Sequence, residues 1–207
     1  MSLTLYDSRR APNPRRVRWV LAEKMVEDVA IVEVDIFAGE HKAADYVARA
    51  GLANVPALDL GDGTTITESV AICRYLEAVY PEPNLFGRDA REAAVIEMWL
   101  RRAEMMLATP LMMAVRHGHP ALAAIERQSA EIAGRNREGA EKALAFFDRR
   151  LGEAEWIAGD RITIADIVAF TGLDFARMVK FRPPDELVNV ARWAEAMRER
   201  PAAAAGV

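Results

Sequence analysis

The chain lacks several features that would narrow its function at once. Its 207 residues include a single cysteine, Cys73, so neither an internal disulfide nor a Cys-x-x-Cys pair for dithiol exchange exists. Cys73 falls on an apolar helical stripe, and we interpret it as a core residue. A chain without disulfides is typical of a reducing compartment, so we expect a cytoplasmic protein.

Long apolar runs and blocks of positive charge are missing too. No segment approaches the ~18 apolar residues of a membrane span, and the N-terminus lacks the apolar region of a signal peptide. The net charge is −4, and no basic block could neutralise phosphates. We therefore expect no membrane partner and no nucleic-acid partner.

Histidine is scarce, and its spacing does not favour a metal. Two of the three histidines, His117 and His119, are two residues apart, and residues at that spacing do not share one face of a helix. No third ligand lies near them in the sequence. We expect no metal site.

Arginine is abundant near the start of the chain. Five of these residues cluster there: Arg9, Arg10, Arg15, Arg16 and Arg18. Such a cluster forms either a solvated helix face or a rim that attracts anions.

The first part of the chain alternates strands and helices. The predicted strands are 3–6, 30–36, 56–60 and 64–66, and the predicted helices are 14–25, 42–49 and a third through Ile72 and Val79. A helix between the first two strands makes them parallel, and the last two strands, 56–60 and 64–66, form an antiparallel hairpin. The order βαβαββα predicts a mixed four-stranded sheet with helices on its faces.

The rest of the chain reads as helix. Pro81, Pro83 and Gly87 interrupt the earlier pattern. The predicted helices that follow are 89–115, 121–151, 163–178 and 185–199. We predict an α/β domain over 1–80, a linker over 81–88 and an all-helical domain over 89–207.

Three short motifs carry candidate chemistry. In Thr67-Glu68-Ser69, a helix begins, and its free amides with the Ser69 hydroxyl could bind a carboxylate while Glu68 accepts from an ammonium group. A plain helix cap is the alternative. His41 and Lys42, in the loop Gly-Glu-His-Lys, could meet a second carboxylate or form a solvated loop. Pro56 stands at the start of a strand, where its missing amide hydrogen is tolerated.

The motif at Thr163 and Asp166 has a structural explanation. Thr163 precedes an apolar helix and Asp166 follows three residues later, which is the pattern of a capping box. We expect this motif to stabilise the fold and not to take part in catalysis.

Together these motifs resemble the glutathione transferase superfamily of cytosolic type, with phi- and theta-like motifs at the N-terminus of a bacterial-like chain. The segment 159–166 resembles the capping motif of that superfamily's second domain, so the resemblance covers essentially the whole chain. It implies a thioredoxin-like first domain and a helical bundle. It also implies a homodimer that uses glutathione as co-substrate, attacks small hydrophobic electrophiles and serves detoxification.

The resemblance further implies a set of glutathione-binding residues. In the family the peptide bond before the proline is cis, the residue before it pairs with the cysteinyl backbone, and the Glu-Ser pair holds the γ-glutamyl end. The His and Lys of phi-type enzymes reach the glycyl carboxylate. The implied residues are His41, Lys42, Asn54, Val55, Pro56, Glu68 and Ser69.

The residue that activates the thiol is less evident. The family places a Tyr, Ser or Cys near the first helix, but Ala11 stands at the Ser or Cys position here. The candidate donors are Asn13, which could instead be the helix N-cap, Ser8 in the loop, and Tyr6, whose side chain could instead point into the core. Backbone amides near Ala11 are a further alternative.

A methionine-rich segment is the candidate pocket for the hydrophobic substrate. Met105, Met112 and His117 lie where the family's long helices line that pocket, although core packing would also explain the methionines. Two other functions remain open. Ala11 favours a glutathione carrier without turnover, whereas an interaction domain with this fold would not need the intact peptide-binding motifs.

Overall fold

The computed structural model describes residues 3–205, which form two compact units. One unit comprises the described residues of Met1–Pro83 and of Pro201–Val207, and the other comprises Asn84–Arg200.

The first unit has the predicted order of strands and helices. Its elements are β1 (Leu3–Asp7), α1 (Pro12–Glu23), β2 (Val29–Glu33), a 3₁₀ turn (Glu40–Lys42), α2 (Ala44–Ala50), β3 (Ala57–Asp59), β4 (Thr65–Thr67), α3 (Ser69–Val79) and a second 3₁₀ turn (Pro201–Ala204). The order βαβαββα is therefore confirmed. Strand β3 ends at Asp59 and β4 begins at Thr65, and the Leu60 amide donates to the Thr64 carbonyl at 3.0 Å, which closes the hairpin around residues 61–63.

The strands form one mixed sheet in the order β2-β1-β3-β4. Strands β1 and β2 are parallel, with Asp7 opposite Glu33, and β3 runs antiparallel to both β1 and β4, with Ala57 opposite Tyr6 on one side and Thr67 on the other. The C-terminal ends of β1, β2 and β4 therefore meet the start of β3 at one edge of the sheet.

Helix α1 begins one turn after β1. Pro12 at the first helical position has no amide hydrogen to leave unsatisfied, and its fixed φ suits a helix start. Val17 and Val20 are fully buried, and α1 contacts α3 and the 3₁₀ turn at Pro201–Ala204. Arg15 Nη2 donates to the Ala203 carbonyl oxygen at 3.2 Å, so this 3₁₀ turn is held against the helix.

The arginine cluster of α1 is only partly solvated. Arg9 and Arg10 are exposed, but Arg16 and Arg18 are buried. The interpretation of the cluster as a solvated helix face is therefore wrong for these two residues. The reason is that each is buried against a different part of the unit, where Arg16 donates to Ser69 and Arg18 donates to Asp7.

The second unit is helical throughout its regular elements. These are α4 (Ala90–Arg102), a π-helical segment (Ala103–Ala108), α5 (Thr109–Gly118), a 3₁₀ turn (Pro120–Leu122), α6 (Ala130–Glu153), α7 (Ile164–Phe175), a further 3₁₀ turn (Ala176–Val179) and α8 (Val188–Glu199). Within residues 3–205, no helix is long and apolar enough to cross a bilayer.

The predicted helix over 121–151 starts too early. Helix α6 begins at Ala130, where the Ser129 side chain accepts a bond from the Ile132 amide at 3.4 Å. The preceding loop is held by Gln128, whose Nε2 donates to the carbonyl oxygens of Arg116 and His119 at 2.9 and 2.7 Å.

Helix α7 is the buried centre of the second unit. Every residue from Ile164 to Leu173 is buried. The capping box of Thr163 and Asp166 is present. Gly172 is required by close packing, since a Cβ atom there would lie 2.7 Å from the Ala108 Cα atom.

Candidate functional site

The predicted glutathione-binding segments belong to one edge of the sheet. The loop at 8–11 leaves the end of β1, the loop at 34–42 leaves the end of β2, and Pro56 immediately precedes β3. Glu68 and Ser69 immediately follow β4, beyond the pair of Ala57 and Thr67. Because these four strand ends are neighbours, the sheet topology brings together motifs that are up to about sixty residues apart in sequence.

The N-terminus of α3 is open to a ligand. The first intrahelical bond joins the Ile72 amide to the Glu68 carbonyl at 3.0 Å, so the amides of Ser69, Val70 and Ala71 precede it. Glu68 occupies the N-cap position, yet its side chain makes no capping bond. Unsatisfied amides with the positive end of a helix dipole suit a carboxylate.

Glu68 has an unusual backbone conformation. Its φ of 66° and ψ of 115° lie in a region that residues with a side chain rarely adopt. Strain of this kind costs on the order of 1–3 kcal/mol and concentrates at binding sites. It leaves the Glu68 side chain exposed beside the free amides, while Ser69 is buried.

A buried arginine contacts the first residue of α3. Arg16 Nη1 donates to Ser69 Oγ at 3.2 Å, and the two residues are 2% and 4% exposed. Sequence reasoning did not find this contact, because it treated Arg16 as one of five similar arginines. The helical periodicity of α1 held a signal: Arg16 and Val20, four residues apart, share one face of the helix, and Val20 is apolar.

The start of β3 presents its backbone at the same edge. The peptide bond between Val55 and Pro56 is cis, Pro56 is buried and Val55 is half-buried. Tyr46 of α2 donates its hydroxyl hydrogen to the Asn54 carbonyl oxygen at 2.6 Å, which holds the preceding turn. Burial, with Tyr6 nearby, raises the pKa of Tyr46 to about 12, so its hydroxyl keeps that hydrogen near neutral pH.

The loop that carries His41 and Lys42 is ordered by two carboxylates. Asp35 Oδ1 accepts bonds from the amides of Phe37 and Ala38 at 2.8 and 3.0 Å, and Glu40 Oε2 accepts from the Asp35 amide at 2.7 Å. The short 3₁₀ turn that follows presents both candidate residues.

His41 and Lys42 have different electrostatic properties. Lys42 is exposed, whereas His41 is half-buried. Burial, together with the Lys42 charge, lowers the pKa of His41, so its ring is neutral at pH 7. The positive charge of this turn therefore comes from Lys42, and His41 can donate a hydrogen bond.

The N-terminus of α1 offers few donors. Pro12 and Pro14 have no amide hydrogen, and the Ala11 amide donates to the Ser8 carbonyl at 2.9 Å. Ala11, and not Asn13, is the N-cap, so the alternative role of Asn13 as N-cap is wrong. The helix starts earlier than the sequence indicated because the proline at its first position favours helical φ.

Asn13 and Ser8 stay candidates for the thiol donor. Asn13 is the only one of the first three residues of α1 with an amide hydrogen, and its side-chain Oδ1 is buried with no hydrogen bond from the described residues. Ser8 is buried in the loop that precedes the helix.

That loop is held from within α1. The Arg18 guanidinium pairs with the Asp7 carboxylate, and its Nη2 donates to the Arg9 carbonyl at 2.7 Å. The Arg9 amide donates to Glu33 Oε1 at 3.0 Å, which ties the loop to β2. Burial raises the pKa of the Asp7 carboxyl, and the neighbouring Arg18 charge opposes that rise.

Tyr6 is engaged on the α2 side of the sheet. Its ring meets the Tyr46 ring edge-on at 5.9 Å between centroids and packs against a cluster with Val34 and Ala57. The Arg49 guanidinium lies 5.1 Å from the Tyr6 ring centroid and donates to its hydroxyl oxygen. These contacts give the Tyr6 hydroxyl a partner of its own, which makes it the weakest of the three thiol-donor candidates.

The candidates for the hydrophobic pocket differ in exposure. Met105 is 64% exposed and Met112 is half-buried. His117 is 8% exposed, and its Nδ1 accepts no bond from the described part of the chain. The three residues that the sequence assigned to one pocket therefore differ in their exposure to solvent.

Two further expectations concern the cysteine and the possible metal ligands. Cys73 is fully buried, as predicted, and burial raises the pKa of its thiol to about 12. In residues 3–205, no three His, Cys, Asp or Glu side chains are grouped so that they could hold a metal ion.

Comparison with known proteins agrees with this geometry. The family model described as "Glutathione S-transferase, N-terminal domain" matches residues 1–78, and the corresponding "C-terminal domain" model matches residues 102–201. Glutathione S-transferase 2 of Saccharomyces cerevisiae is 37% identical over 96% of this chain and 87% of its own length. Glutathione S-transferase GstA of Escherichia coli O157:H7 is 33% identical over 84% and 83%.

Solved structures give the same result. A glutathione S-transferase domain-containing protein of Marinobacter aquaeolei superposes with a TM-score of 0.90 at 38% identity, covering 96% of this chain and 98% of that chain. The chain therefore belongs to the glutathione S-transferase family, as its two matched domains and its close relatives show.

Proposed function

We propose that the chain is a glutathione transferase that activates the thiol of glutathione for attack on small hydrophobic electrophiles. The observation that carries this proposal is the open N-terminus of α3, where the strained Glu68 backbone precedes the buried Ser69. Family membership and the names of the relatives support the same activity.

The γ-glutamyl end of glutathione fits the start of α3. Its carboxylate meets the free amides and the Ser69 hydroxyl, and its ammonium group meets the exposed Glu68 carboxylate. One site thus satisfies both charges of an α-amino acid.

The other two residues of glutathione fit the neighbouring loops. The cysteinyl backbone pairs with Val55 in the manner of an added strand, beside Pro56 and Asn54. The glycyl carboxylate forms an ion pair with Lys42 and accepts a hydrogen bond from neutral His41.

The thiol then lies at the start of α1. A cysteine thiol ordinarily titrates near about pH 8.5, and lowering that pKa by about two units needs roughly 2.7 kcal/mol of preference for the anion. One hydrogen bond to a charged group contributes about 1.5–3 kcal/mol. A single donor from Asn13 or Ser8 is therefore sufficient, and Ala11 need not donate.

Family membership supports the proposals for the electrophile and for the assembly. Met105 and Met112 suit an adaptable apolar pocket, since methionine side chains are flexible and polarisable. The enzyme acts as a cytoplasmic homodimer in detoxification.

The decisive experiment measures the pKa of the bound thiol. Glutathione is titrated into the purified protein, and thiolate absorbance in the ultraviolet is followed against pH. Cys73 does not interfere, because its pKa of about 12 keeps it protonated over the useful range. We expect a bound-thiol pKa at least one unit below that of free glutathione.

Two variants name the donor. Asn13→Ala and Ser8→Ala are compared with the wild-type protein. The variant that has lost the donor should raise the pKa of the bound thiol toward that of free glutathione and should lose turnover at neutral pH. Asn136→Ala, a change on α6 whose side chain bonds the Ile132 carbonyl, is the matched control and leaves the thiol unchanged.

A glutathione carrier without turnover is the second candidate, because Ala11 lacks a side-chain donor. Tight binding with an unshifted thiol would favour that function. Absence of binding would contradict both functions and leave an interaction domain.

A further inference from the structure

We propose that Arg16 is a positioning residue that fixes the Ser69 hydroxyl as a hydrogen-bond donor and thereby makes the start of α3 selective for a carboxylate. This inference rests on the proposed function, since the carboxylate in question is that of the γ-glutamyl group.

The first step is the geometry of the contact. Arg16 Nη1 lies 3.2 Å from Ser69 Oγ, and both residues are almost completely buried. Guanidinium groups only donate hydrogen bonds. Ser69 Oγ must therefore accept from Arg16.

The second step concerns the hydroxyl hydrogen. A serine hydroxyl has one hydrogen to donate and two lone pairs. Because Arg16 occupies a lone pair, the hydrogen points away from Arg16 and is free for an acceptor. A ligand that reaches Ser69 beside the free amides of α3 is thus met by donors only, which favours a carboxylate over an ammonium group.

The third step is electrostatic. The Arg16 guanidinium contacts Ser69, which shares a face of α3 with Cys73, and its charge lowers the pKa of the Cys73 thiol against the larger effect of burial. A positive charge in a buried position is weakly screened. It adds to the helix dipole at the site where the ligand carboxylate binds.

Glu68 supplies the opposite polarity next to this site. It is exposed and lies one residue before Ser69. Arg16 and Glu68 together therefore set which end of an α-amino acid binds where, and Arg16 does so without touching the ligand.

The test uses two analogues of glutathione. One, 4-aminobutanoyl-cysteinylglycine, lacks the γ-glutamyl carboxylate, and the other, glutaryl-cysteinylglycine, lacks the ammonium group. Arg16→Met removes the charge and the donor while keeping an apolar stem. We expect it to weaken binding of glutathione and of the glutaryl analogue roughly tenfold and to leave the aminobutanoyl analogue unchanged.

The kinetics and a double-mutant cycle separate positioning from catalysis. Arg16→Met should raise the KM for glutathione and leave kcat at saturating glutathione within about twofold. In the Ser69→Ala background the same change should have little further effect, because the hydroxyl that it orients is gone. Arg74→Met, which removes an exposed arginine of α3, is the control and changes neither constant.

Arg16→Gln, which is neutral and too short to keep the contact, is measured in parallel, and circular dichroism verifies the fold of each variant. Equal losses for both analogues, or additive effects in the double-mutant cycle, would overturn the role of Arg16 while wild-type binding stands. Loss of the fold in both variants would also overturn it, since Arg16 would then act on the fold alone. Failure of the wild-type protein to bind glutathione would instead contradict the proposed function, and this inference with it.

Discussion

Helices α3 and α7 begin in opposite ways. At α7 the Asp166 carboxylate accepts bonds from the amides of Ile157 and Thr163, the Thr163 hydroxyl and the Trp193 ring at 2.9–3.0 Å. At α3 the N-cap Glu68 makes no side-chain capping bond, and its backbone is strained. One N-terminus is closed by the protein, and the other is left for a ligand.

The difference teaches how to separate a cap from a binding site. Both helix starts carry a hydroxyl residue of the kind that sequence rules associate with capping, Ser69 at α3 and Thr163 at α7. The α7 start is fully buried and its polar atoms are paired, so it stabilises the fold. The start of α3 keeps its free amides at the end of the sheet where three loops meet. The strained Glu68 backbone at this start lowers the stability of the fold.

The largest effect is expected at the closed N-terminus. Asp166→Ala leaves four hydrogen-bond donors without their acceptor in the buried interior, and should lower the free energy of unfolding by about 3 kcal/mol or more. Denaturant unfolding measures this loss, while the glutathione affinity of the folded fraction stays unchanged.

Asp160→Ala, an exposed change in the same loop, is the control and should shift stability by less than about 0.5 kcal/mol. A marked drop in glutathione affinity for folded Asp166→Ala would show that the α7 motif does more than stabilise the fold.

A smaller effect of opposite sign is expected at the open N-terminus. Glu68→Gly relieves the positive φ and should raise the free energy of unfolding by about 1 kcal/mol, because strain exceeds the added backbone entropy of glycine. The same variant should bind glutathione more weakly, since the partner of the ammonium group is lost. Thermal unfolding and calorimetry measure both changes.

Glu68→Gln is the matched control for charge. It keeps the strained backbone and removes only the carboxylate, so affinity should fall without a gain in stability. If Glu68→Gly proved less stable than the wild-type protein, the comparison of the two helices would be wrong.

The smallest effect concerns the interior of α3, one turn beyond its open start. Burial raises the pKa of Cys73 to about 12, above that of the unfolded chain, so the folded state holds the proton longer. Stability should therefore begin to fall as the pH rises past the ordinary range of a cysteine thiol, and at pH 9 the loss should be less than about 1 kcal/mol.

Cys73→Ala should flatten this alkaline loss, and urea unfolding at several pH values measures it. In addition, a thiol reagent at pH 8 should label Cys73 only after unfolding. Rapid labelling of the native protein would show that α3 opens along its length.

Much of the site could be predicted from local sequence patterns. The alternation of strands and helices, the helix start at Ser69 and the box of Thr163 and Asp166 all follow from spacing over a few residues. The grouping of loops at one sheet edge follows from the parallel βαβ unit and the hairpin.

Other features needed contacts between distant residues. Local sequence encodes neither the partner of Arg16 on α3 nor the packing of Tyr6 against α2. The 3₁₀ turn at Pro201–Ala204 contacts α1, although the whole second unit lies between them in sequence.

The sequence by itself determined the family, the order of elements and the residues able to meet glutathione, because backbone periodicity and helix-start chemistry are local. Only the tertiary structure decided that Arg16 reaches Ser69, that Ala11 rather than Asn13 caps α1, and that Glu68 is held in a strained conformation. These outcomes depend on which helix face is buried and what it meets there, and that is fixed by packing between segments far apart in the chain.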